Sequence, residues 1–357
     1  MLDTLDMLEG EDGSDNIYPD ATVKISKEQF SIYDLKRQYD KRQKIIIAPI
    51  FQRNDVWNSL QKSELIESVL MGIPIPIMYF FEGKDGKRQV VDGRQRLTTF
   101  FSFIDGEFKL NNLKILKEQN GKRFNDLEPV YQGLIEDYQL LIYIIQPPTS
   151  EKVKFDIFDR VNRGGTQLNH QEMRNALYQG NSTKLLNKLV ELDCFKKATD
   201  NAINSTRMKD KYIVLRFLSF YMLYENGLGE ITYKSDIDDF LAKTMVFINK
   251  LSEDKIESLE VLFQRAMQNS YEILGKNGFR FAKTDKTKPI AMALFEIMAY
   301  FFSDKEIGKL DKDLVKTEVE LLKSEFEQSG TFLSRIDNSN NVKYRFEKIK
   351  ELREKLL

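Results

Sequence analysis

The chain has 357 residues, more than one core comfortably holds and about right for two domains, and its 41% hydrophobic and 31% charged residues are those of a globular protein. There is no run of about 18 apolar residues to span a membrane; the single cysteine, Cys194, excludes an internal disulfide framework and fits a reducing cytoplasm; the single histidine, His170, excludes a two-histidine metal centre within the chain. The formal net charge of −1 conceals an acidic start: without Asp3, Asp6, Glu9, Glu11, Asp12 and Asp15, 49 acids face 54 bases, a mild +5 that permits nucleic-acid contact without arguing for it.

Residues 1–20 read as a disordered acidic tail, with neither the basic start nor the apolar run of a signal or transit peptide. Residues 22–25 suggest a short strand, and the S-x-x-Q pattern of Ser26 and Gln29 predicts a helix to about Arg42. A β-branched strand at 45–47 stops at Pro49, and 49–57 form a loop. Asn58 caps a helix that buries Leu65, Ile66, Val69 and Leu70 and stops at Gly72. Pro74 and Pro76 precede an apolar strand over 75–81, Asp85-Gly86 supplies a hairpin turn, and 88–91 return. A helix over 94–104 follows at once. Residues 113–125 resemble an insertion, 134–137 are helical, and 139–146 form a buried strand ended by Pro147-Pro148. Residues 151–162 are helical, 163–168 are a glycine-containing loop, and Asn169 with Glu172 forms a capping box for a helix over 170–178. Beyond that only helical periods occur, near 183–192, 208–225, 235–250, 255–274, 288–302, 311–328 and 341–356. The expected organisation is an α+β domain over 21–165 followed by an all-α domain over 166–357.

The stretch VVDGRQRLTTFFSF at 90–103 is the most informative. Strand passes to helix through Asp92-Gly93 alone, and glycine permits both a sharp turn and close approach of a ligand to the backbone. The first turn of a helix carries unpaired N–H groups and a partial positive charge, which Asp or Glu normally offset. Here Arg94 and Arg96 occupy that turn, an arrangement that suits an external anion such as phosphate. Asp92 is placed to orient an arginine or to hold Mg²⁺. The alternative is a plain strand–helix turn with solvated arginines.

Four ordered blocks resemble the N-terminal domain family of GmrSD-type restriction endonucleases, within the ParB–sulfiredoxin superfamily: PIFQRNDVW at 49–57, QKSELIESVLMGIPIPIMYF at 61–80, VVDGRQRLTTF at 90–100 and FDIFDRVNRGGTQLNHQEMRNAL at 155–177. RMKDKYIVLRFL at 207–218 is similar to the family as well. The resemblance implies a small mixed sheet with helices and a nucleotide pocket. Gly93, Arg94, Gln95 and Arg96 would bind the phosphates of a nucleoside triphosphate, with Gln52, Arg53, Asn162, Arg163, Gly164 and Gly165 lining the same pocket. Asp92 and Arg96 would be the catalytic pair and Asp92 the Mg²⁺ ligand of a triphosphatase that gates a cytoplasmic defence response to foreign DNA.

Two departures modify that expectation. The family usually has Asp-Gly-Gln-Gln-Arg, and Arg94 replaces the first Gln where ParB proteins carry a functional glutamate. This motivates a second reading, a nucleotide- or DNA-binding regulator without turnover; DNA cleavage by this domain ranks third. Full enzymes of this type also carry a histidine-dependent nuclease domain, whereas this chain has no histidine beyond His170. A separate nuclease chain is then the partner to expect, alongside DNA and a second copy of the chain.

Other residues carry weaker signals. His170 reads as a surface or capping-region residue, and Glu172 as the capping partner. Arg174 and Asn175 follow the glycine loop closely enough to face the same cleft. Arg207, Lys209, Lys211 and Arg216 cluster around a helix start as candidate contacts to a nucleic-acid backbone or as a solvated face.

Overall fold

The computed structural model describes residues 24–47, 57–83, 85–149, 151–162, 169–281, 289–332 and 334–357. Its first half is built on five strands, β1 (Lys24–Ser31), β2 (Ile45–Ile46), β3 (Met78–Glu82), β4 (Arg88–Asp92) and β5 (Gln139–Gln146), in the spatial order β1-β5-β3-β4-β2. The sheet is mixed: β1–β5 and β3–β4 run antiparallel, β3–β5 and β2–β4 parallel.

Strand side chains alternate between two buried faces. Met78, Phe80, Val90, Ile142 and Ile144 join one core with helices α1 (Ile32–Asp40), α2 (Ser59–Leu70), α3 (Arg94–Ile104) and α4 (Pro129–Glu136). Phe81, Val91 and Ile145 point the other way, against Phe155 and Phe158 of α5 (Glu151–Asn162) and Met173 and Ala176 of α6 (His170–Leu177). Being covered on both faces explains why 139–146 reads as a nearly continuous apolar run.

The helix predicted from Ser26 does not form. Residues 24–31 instead pair with β5 in eight consecutive positions, from Lys24 opposite Gln146 to Ser31 opposite Gln139. A capping interaction worth about 1 kcal/mol loses to a complete ladder that covers the edge of β5. The helix begins one strand later, with Ser31 as N-cap accepting from the Asp34 N–H at 3.1 Å. At α2 the capping box of Asn58 and Gln61 is present in both directions at 3.0 Å, and Gly72 follows with φ 70°. The apolar strand starts at Met78 rather than 75, because the Pro74–Pro76 segment stays outside the ladder.

The second half contains α7 (Asn181–Glu191), α8 (Asp193–Ala198), α9 (Lys209–Tyr224), α10 (Ile237–Ile248), α11 (Glu253–Leu274), α12 (Met292–Phe302), α13 (Lys312–Ser329) and α14 (Ser339–Leu356). They share one large core in which Phe217, Phe263 and Phe295 meet. Arg216 is part of this core, ion-paired with buried Glu296 and, at 2.6 Å, with Asp337. It therefore does not belong to a surface cluster with Arg207 and Lys209, which are exposed. Burial pushes the Cys194 thiol up, which favours its protonated form. No helix among the described residues is long and apolar enough to cross a membrane.

Candidate phosphate-binding turn

β4 hands over to α3 at Gly93, whose φ of 95° lies in the left-handed region. Two constraints select glycine here. A side chain would strain the backbone, and a Cβ would sit 2.6 Å from Cγ and 2.7 Å from Sδ of Met78. The register between β3 and β4 also shifts beside the turn: Tyr79 faces Asp92 while Phe80 faces Val90. Such an irregularity re-aims the end of a strand. Leu97, Phe100, Phe101 and Phe103 anchor the body of α3 in the core, so its first turn is held rigidly at the end of β4.

Gly93 has no side chain to cap α3, and no acidic residue lies in the first turn. Arg94, Gln95 and Arg96 occupy that turn and are all partly buried. Arg96 is the most constrained. Its Nη2 donates to Asp92 Oδ2 at 2.6 Å and, more weakly, to the Ile77 carbonyl at 3.4 Å, while Nη1 donates to the Pro76 carbonyl. The guanidinium thus ties the segment before β3 to the turn after β4. Asp92 orients this arginine with one carboxylate oxygen. Its other oxygen takes no part in that pair and could accept one metal bond. Among the described residues no group of three or more His, Cys, Asp or Glu side chains could hold a metal by itself.

The structure therefore gathers Asp92, Gly93, Arg94, Gln95 and Arg96 at one turn. Gln52, Arg53, Arg163, Gly164 and Gly165 lie outside the described residues, as does the side chain of Asn162, the last residue of α5. Sequence reasoning missed Met78 and the carbonyls of Pro76 and Ile77, since backbone acceptors leave no mark in a motif.

Farther along the chain, α6 starts with the expected capping box: Asn169 Oδ1 accepts from the Glu172 N–H at 2.9 Å, and Glu172 Oε2 accepts from the Asn169 N–H at 2.7 Å. α6 is tied to the sheet, since the Gln89 amide donates to the Ala176 carbonyl. His170, half exposed, meets Asp238 Oδ2 through Nδ1 at 2.7 Å, and that hydrogen bond raises its pKa above the ordinary histidine value. Arg174, fully buried, donates from Nη1 to Asp238 Oδ1 at 2.5 Å and from Nε to Gln171 Oε1 at 3.1 Å. The cavity that Arg174 lines contains none of residues 92–96.

A comparison with curated proteins returned no match. A family model described as the GmrSD restriction endonuclease N-terminal domain matches residues 32–179, a span from α1 through α6 that contains the whole β4–α3 turn. Residues 32–179 are therefore similar to the N-terminal domains of GmrSD restriction endonucleases.

Proposed function

We propose that the protein binds a nucleoside triphosphate at the β4–α3 turn and serves as the nucleotide-responsive component of a cytoplasmic restriction system. The observation that carries this reading is the start of α3, a helix N-terminus with no side-chain cap, no acid and two arginines, immobilised at the end of a central strand. Phosphate oxygens would accept from the first-turn N–H groups and from Arg94, where the helix dipole favours negative charge. Arg96 acts from behind, keeping the turn and the Pro76–Ile77 segment in register, rather than as a mobile phosphate clamp.

Hydrolysis is supported by the remaining oxygen of Asp92. Mg²⁺ arriving with the nucleotide would bind there and neutralise charge between phosphate oxygens. The alternative, a regulator that binds nucleotide or DNA without turnover, is supported by Arg94 in place of the family glutamine and by the engagement of Asp92 with Arg96. A separate nuclease chain would then carry out cleavage.

Nucleotide affinity and phosphate release in the wild type, Arg94→Gln and Asp92→Asn test both readings. Weaker binding in Arg94→Gln supports the phosphate turn, and equal affinity of wild type and Arg94→Gln for all four ribonucleoside triphosphates would sink it. Binding with release that Asp92→Asn abolishes supports hydrolysis; binding without release supports the regulator.

A further inference from the structure

Between α6, α9 and the start of α10 lies a cavity of about 510 Å³ whose wall includes Gln171, Arg174, Arg207, Lys209, Tyr212 and Asp238. Two of its buried side chains have unused donors. Arg174 is 0% exposed, yet its Nη2 finds no acceptor among the described residues; Gln171 is 3% exposed, and its Nε2 is in the same condition. An unmet donor on a buried guanidinium costs free energy that folding alone does not recover, so its presence at a cavity points to an acceptor that arrives with a ligand.

The rim supports this. Arg207 and Met208 both adopt left-handed φ, 57° and 58°, although neither is glycine. The Asn169 Nδ2 donates to the Arg207 carbonyl at 2.6 Å, and the Arg207 guanidinium reaches Glu172 at 3.1 Å, so the unfavourable backbone is held in place. The effect is to set Arg207 and exposed Lys209 beside the start of α9, a helix that Met208 cannot cap with a side chain. Strained non-glycine backbone of this kind concentrates at binding sites. Asp238 is already committed to His170 and Arg174, and the Arg207 guanidinium to Glu172; the unpaired Arg174 donor and Lys209 line the cavity together with the Asp159 carboxylate.

We propose that this cavity is a second anion site, which takes a phosphate group independently of the β4–α3 turn. The two sites share no residue, so failure of one leaves the other standing. The phosphate belongs either to a free small molecule or to a nucleic-acid strand, and the two sources are separable by experiment. Arg174 is built too deeply into the fold to serve as the test; Lys209 is exposed. Inorganic pyrophosphate and, in a separate arm, a single-stranded DNA oligonucleotide are titrated into the full chain as wild type, Lys209→Glu and Arg94→Gln. Reversing the charge at Lys209 is expected to weaken one probe by about tenfold or more, while Arg94→Gln leaves that probe's affinity at this site in place. Loss of pyrophosphate identifies a free phosphate compound as the ligand, and loss of the oligonucleotide alone identifies a phosphodiester strand. The proposal is overturned if the wild type binds neither probe, if Lys209→Glu binds both as the wild type does, or if only Arg94→Gln loses binding.

Discussion

Two arginines, Arg96 and Arg174, 78 residues apart in sequence, do opposite things. Arg96, in the motif that attracts attention, has its terminal nitrogens committed to Asp92 and to the carbonyls of Pro76 and Ile77. Arg174, in a helix that the sequence marks by a capping box and the family-like block at 155–177, is more deeply buried and still has an unused donor. Motif membership therefore says where an arginine sits, and hydrogen-bond accounting says whether it supports the backbone or waits for a ligand. In the proposed reading the α3 N–H groups and Arg94 would meet an anion at the β4–α3 turn, and the buried guanidinium itself would do so at the α6–α9 cavity.

The comparison predicts unequal effects from the same kind of change. Asp238→Ala leaves the guanidinium of Arg174 buried between the Phe155 and Tyr212 rings with Gln171 as its one hydrogen-bond acceptor among the described residues, and about 3 kcal/mol of stability should be lost. Asp92→Ala leaves Arg96 bonded to two carbonyls at a partly exposed site, and the loss should be about 1–2 kcal/mol. Urea denaturation of the two variants measures the difference; equal losses would mean that the two arginines are not held differently. Gly93→Ala tests the turn through its backbone. The left-handed φ alone costs about 1–2 kcal/mol, and the approach to Met78 adds a further shift of that side chain. A variant as stable as the wild type would show that the turn relaxes freely.

The smallest effect concerns His170. Its hydrogen bond to Asp238 raises its pKa in the folded protein, so folding favours the protonated form. The associated stability is fully present below the unfolded histidine value of about 6.5 and disappears as pH rises through the higher folded value. Thermal melts of wild type and His170→Gln across that range should differ most at the acid end and converge at the alkaline end. A gap that widens with pH would contradict the pairing. Because His170 is half exposed, water screens the interaction and the difference should be small.

Much of the local structure was legible from residue order. The boundaries of α3, α5 and β5 follow from period and from punctuation by Gly93 and Pro147-Pro148, and the capping boxes at Asn58 and Asn169 mark the starts of α2 and α6. These signals act over a few residues, through hydrogen bonds and side-chain spacing that any short segment carries with it. The family resemblance over 32–179 rests on the same local blocks.

Other features depended on partners distant in sequence. Residues 24–31 became β1 because β5, more than a hundred residues later, needed an edge partner. The Arg96 guanidinium was fixed by carbonyls 19 and 20 residues upstream, and Arg174 by Asp238, 64 residues downstream. Arg216 left the apparent basic cluster because Glu296 in α12 drew it into the core. The sequence by itself determined most helices, the central strands and the strand–glycine–helix turn at 92–96, since those depend on neighbours along the chain. Only the tertiary structure decided which charges are spent inside the protein and which remain for a ligand, because burial and pairing are set by whatever the fold brings alongside.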